Sequence, residues 1–157
     1  MIANGFFSAA CYLKDCEKNN GFLMGMYAPA YTANLAFACE LYFKQLLGII
    51  QKDNIQGHKL KTLFEEISPE VKKEIKTEYN KKMNNDDEGK NTYKTLSFED
   101  CLDVYNTAFE DWRYTYEGGK TCNTVAEREF FTLVSIVKRI ADKKINILRG
   151  MNSLKKL

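Results

Sequence analysis

Histidine occurs once, tryptophan once and proline twice in 157 residues. The lone His58 cannot complete a Cys2His2 zinc site, and it has no second imidazole to share a proton relay. With only Pro29 and Pro69 to break them, long stretches are free to be helical, which favours an all-α chain. No uninterrupted apolar run is long enough to cross a bilayer, so no membrane span is expected. The opening "MIANGFFSAACYLKD" has no basic segment ahead of its apolar residues, so no secretory leader is expected either. There is no P-loop, no Gly-rich dinucleotide fingerprint, no HExxH and no paired Cys motif, so no cofactor and no metal site is expected.

The five cysteines, Cys11, Cys16, Cys39, Cys101 and Cys122, are odd in number and widely spaced. A disulfide framework is disfavoured by that pattern, and reduced thiols in a cytoplasmic protein are expected. Net charge is +2 and the isoelectric point is about 8.2, well short of a protein built to coat nucleic acid. Acidic and basic residues are mixed, which leaves room for a local phosphate-binding patch. Apolar residues at 45% against charged residues at 28% fit one globular domain over residues 1–157.

Helical periodicity dominates the chain. Ile2, Phe6, Ala9, Leu13 and Cys16 predict a first amphipathic helix, closed by the polar "EKNNG". In "PAYTANLAFACELYFKQLLGIIQKD" the stripe Leu35, Cys39, Tyr42, Leu46 and Ile49 is widened by Phe37 and Leu41, so this helix should be the most buried one. "HKLKTLFEEIS" predicts a short third helix with Leu60, Leu63, Phe64 and Ile67 inward. Ser68 and Pro69 then start a surface helix whose thin stripe is Val71, Ile75, Tyr79 and Met83. "NNDDEGKNTYKT" reads as a loop. Ser97 caps a helix with the stripe Phe98, Cys101, Leu102, Tyr105, Phe109, Trp112 and Tyr116, stopped by Gly118 and Gly119. A last helix is expected from Asn123 to Arg149, its core face running from Phe130 through Val137 and Ala141 to Ile145 and Leu148. The architecture this predicts is an antiparallel bundle of four to five helices.

Three groups could carry chemistry. His58 could act as a base near neutral pH, but the plainer role is structural: it opens the third helix and hydrogen-bonds locally there. Glu40 and Lys44 form an i,i+4 pair on the most apolar helix, as its solvent edge or as a polar seam facing a groove. "FEDWRYTYE" sets Arg113 among Trp112, Tyr114 and Tyr116, with Glu110 and Glu117 able to clamp it. Such an arginine beside aromatic rings could hold phosphate and let a base stack. Glu40 and Lys44 are expected to share a polar groove with Arg113, Tyr114, Tyr116 and Glu117.

The order of "ACELYFKQLL", "GHKLKTLF" and "WRYTYE" resembles HEPN domains, the helical domains of prokaryotic toxin–antitoxin and antiviral systems. Ala38, Glu40, Leu41, Lys44, Leu46 and Leu47 match one run of that pattern. Gly57, His58, Leu60, Leu63 and Phe64 match a second, and Arg113 with Tyr114 a third, across about residues 28 to 148. The resemblance implies a helical bundle that often dimerises. Many members are metal-independent ribonucleases with an arginine followed four to six residues later by a histidine. Here "YTYEGGKTCNT" follows Arg113 without one. The resemblance is therefore to non-catalytic members, with no catalytic residue assigned. The expected partners are RNA, a nucleotide or a cognate protein such as an antitoxin, together with a second copy of the chain. An atypical ribonuclease using Arg113 with a nearby Tyr, Glu or His, and a plain dimerisation scaffold, are the alternatives.

Overall fold

The computed structural model describes residues 2–19, 26–48, 57–86, 95–108 and 127–154. Among them are six α-helices and no strand. Four are long: α1 (Ile2–Asn19), α2 (Ala28–Gly48), α4 (Pro69–Asp86) and α6 (Glu127–Leu154). Two are short: α3 (Leu60–Glu66) and α5 (Phe98–Val104). The all-α bundle expected from periodicity is what the chain forms. None of these helices is long and apolar enough to cross a membrane.

The long helix α2 is the axis of the packing. It lies against α1, α3 and α6, and α4 closes on α6. Leu35, Ala36, Ala38, Cys39, Tyr42, Phe43, Leu46 and Leu47 of α2 are all buried, so apolar side chains surround most of its circumference. Aromatic rings then link the short helices to it. Phe43 lies 5.8 Å from Phe64 of α3, Phe64 4.9 Å from Phe98 of α5, and Phe98 5.6 Å from Tyr79 of α4, centroid to centroid. Tyr105 stacks flat on Phe130 of α6 at 3.8 Å. Each such pair adds about 0.5–1.5 kcal/mol beyond the area it buries.

The thin stripe of α4 packs as its spacing predicts, with Val71, Ile75, Tyr79 and Met83 all buried. Ser97 caps α5 as expected: its Oγ accepts the Asp100 N–H at 3.1 Å and donates to the Asp100 carboxylate at 2.7 Å.

Three expectations need correction. The buried face of α1 is centred on Ala3 and Ala10, while Ile2 is 77% exposed. Two small residues let α1 approach the aromatic-rich surface of α2 closely, with Phe6 and Phe7 flanking the contact. The helix begun by Ser97 does not continue through the aromatic stripe: it ends at Val104, and Tyr105 to Thr107 form a turn. In that turn the Asn106 carbonyl accepts the Leu60 N–H at 3.1 Å, and Asn106 Oδ1 accepts the Lys61 N–H at 2.8 Å. The turn supplies the start of α3 with acceptors that its own N-cap side chain does not provide. Finally, α6 runs to Leu154 but its core contact stops near Ala141, and Ile147 and Leu148 are exposed.

Candidate functional site

Glu40 of α2 is not on the solvent edge of the helix. Glu40 sits between buried Cys39 and Leu47 on the helix axis and is itself only 1% exposed. A carboxylate removed from water in this way needs partners. Two reach the same oxygen. Lys44 Nζ donates to Glu40 Oε1 at 2.8 Å, and His58 Nδ1 lies 3.0 Å from that atom. The second oxygen, Oε2, is fully buried and has no hydrogen-bond partner among the described residues.

Exposure rises outward through the cluster, from 2% for the Glu40 side chain to 23% for Lys44 and 53% for His58. The seam is thus a buried anion reached from solvent past an ammonium and an imidazole. A carboxylate only accepts, so the proton shared with it belongs to Nδ1, and Nε2 is the acceptor nitrogen of the neutral ring.

Local geometry aims His58 at this seam. Gly57 has φ +100°, a left-handed conformation that side-chain-bearing residues avoid. The chain leaves it directly into His58, two residues ahead of α3. His58 bonds across 18 positions to α2, and the first N–H groups of α3 are satisfied by Asn106. Glu40 is therefore no part of a solvent edge, and it is held in a polar cluster with Lys44 and His58. Arg113, Tyr114, Tyr116 and Glu117, the remaining residues of the expected groove, lie outside the described residues.

A second polar node escapes a reading by motif. Glu127, the first residue of α6, accepts the Tyr31 hydroxyl at 2.5 Å and the Lys14 ammonium at 2.6 Å. It ties the last helix to α1 and α2 at once. An acidic residue opening a long helix was the available signal, because the helix N-terminus favours negative charge.

Cys11, Cys16, Cys39 and Cys101 are free thiols. Burial pushes the Cys101 thiol up to about 12 and the Cys39 thiol well above its ordinary value, so both stay protonated and inert at neutral pH. Among the described residues no group of three or more His, Cys, Asp or Glu side chains could hold a metal ion.

Comparison with protein-family models, with curated proteins and with solved structures returns no match.

Proposed function

We propose that this chain is a non-catalytic HEPN-type module that binds a nucleic acid, a nucleotide or a cognate protein and acts as a homodimer in a defence or toxin–antitoxin setting. The observation that carries this reading is the use made of His58. The only imidazole of the chain anchors the segment before α3 to a buried carboxylate on the central helix. Glu40, Lys44 and His58 are also polar residues of the first two runs that carry the HEPN resemblance. Their joining in one cluster gives those residue types a common physical purpose, which is to hold α3 against α2.

A ribonuclease reading is supported by one specific feature. A carboxylate 3.0 Å from Nδ1 fixes the orientation of the ring, as the partner of a general base does.

The experiment that separates the two readings uses purified protein, labelled single-stranded RNA and a chelator. The expected result is binding without cleavage, together with a light-scattering mass near twice 18.1 kDa. RNA turnover that His58→Ala abolishes, without lowering the melting temperature, overturns the non-catalytic reading in favour of the ribonuclease. A strictly monomeric mass at high concentration removes the dimer.

A further inference from the structure

A cavity of about 930 Å³ forms a trough on a face that shares no lining residue with the Glu40 cluster. One stripe of α6, from Arg128 to Arg139, forms its floor, with α1 on one side and α4 on the other. At 1.5 Å per residue that floor is about 16 Å long, or three helical turns. Phe131 and Ile136 make its centre apolar, and Ser135 is exposed on it with its hydroxyl already bonded to the Phe131 carbonyl at 2.7 Å.

The rims are cationic. Six basic side chains line the trough against two acidic ones. Four of the six have carboxylate partners: Lys14 with Glu127, Arg128 with Glu129, Arg139 with Glu78, and Lys18 with Asp15 at a stretched and exposed 4.0 Å. Lys81 and Lys82, both exposed on α4, have no ion-pair partner among the described residues. Lys81 and Lys82 therefore carry the uncompensated charge on one rim, while Lys18 on the other is held only by its stretched, exposed pair with Asp15.

The geometry points to this trough as the docking site for an acidic amphipathic helix of a partner protein. Such a helix would lay the apolar side chains of about one and a half turns along Phe131 and Ile136. Its flanking carboxylates would meet Lys18 on one rim and Lys81 and Lys82 on the other. The same charge could attract nucleic acid, but the floor offers a poor stacking platform. Phe131 is its one aromatic ring, and the Lys14 ammonium already sits 4.0 Å from the centroid. A trough with cations on both rims and an apolar centre matches a helix with an apolar stripe between two acidic edges. This inference stands apart from the proposed function, because its test touches neither His58 nor Glu40.

The probe is a labelled amphipathic peptide of four turns, with leucines on one stripe and glutamates on both edges. Its counterpart carries lysines in place of the glutamates, and a twelve-nucleotide single-stranded RNA serves as competitor. Fluorescence anisotropy with the full chain should show saturable binding of the acidic peptide, none of the basic one, and weakening with salt. Lys81→Glu combined with Lys82→Glu should weaken binding at least tenfold. Ser135→Trp, which fills the trough from an exposed position, should abolish it. Both variants should melt like the parent. Absence of saturable binding overturns the proposal, as does binding indifferent to Ser135→Trp. RNA that binds more tightly than the peptide, and is lost in the same variants, reassigns the trough to phosphate.

Discussion

His58 Nδ1 and Glu40 Oε1 lie 3.0 Å apart, joining the segment before α3 to the middle of the central helix. The carboxylate is buried and the imidazole half exposed, so the two residues should respond differently to removal. His58→Ala loses one charge-assisted bond that water can partly replace, at about 1 kcal/mol. Glu40→Ala strands Lys44 as well and opens a void beside the core, at about 2–3 kcal/mol. The double variant should fall short of additivity by about 0.5–1 kcal/mol. Denaturant unfolding of the four proteins measures this, and strict additivity would show that the contact contributes nothing to stability.

Gly57→Ala isolates the backbone contribution to the same arrangement. Nothing lies within 4 Å of where the new methyl would stand, so sterics with neighbours are absent and only the φ of +100° is disturbed. A loss of about 1 kcal/mol is expected. A d-alanine introduced there by ligation should keep or raise stability. Equal melting temperatures for glycine and l-alanine would mean that the turn relaxes freely.

Alkaline pH should unfold the protein early. The Cys101 thiol is raised from 9.0 to about 12, and Cys39 and the hydroxyls of Tyr31, Tyr42, Tyr79 and Tyr105 are raised too, in each case first by burial. The folded state thus keeps protons that the unfolded chain releases. Their contribution is complete below the unfolded values and is lost as pH climbs from about 9 towards 12. Each such group adds a slope of up to about 1.4 kcal/mol per pH unit. Melting temperatures recorded between pH 7 and 11 should be flat at first and then fall, with Cys101→Val showing a shallower fall. A profile unchanged to pH 11 contradicts the burial of these groups.

The elements that a sequence reader could find were those governed by spacing alone. Val71, Ile75, Tyr79 and Met83 repeat every four residues with polar neighbours between them, and no other face of α4 competes for burial. On α1 two adjacent stripes compete, and the one with Ala3 and Ala10 is buried because small residues let α1 come close to α2, where Phe6 meets Phe37 and Asn4 accepts the Tyr42 hydroxyl. The pairing of Glu40 with Lys44 follows from helix geometry. Its burial does not, since that depends on α3 and His58 arriving over it from a distant part of the chain. The end of α5 at Val104 was hidden for a related reason: the residues beyond it keep an apolar helical period, and the Asn106 of the turn bonds to α3, a partner that local spacing does not reveal.

That engagement makes α3 a borrower of structure. Its Leu60 and Lys61 amides are protected from solvent exchange only while the turn after α5, some 45 positions away, stays docked. A seven-residue helix is too short to persist alone. The two short helices should therefore open together, with deuterium uptake at the first turn of α3 rising when α5 undocks.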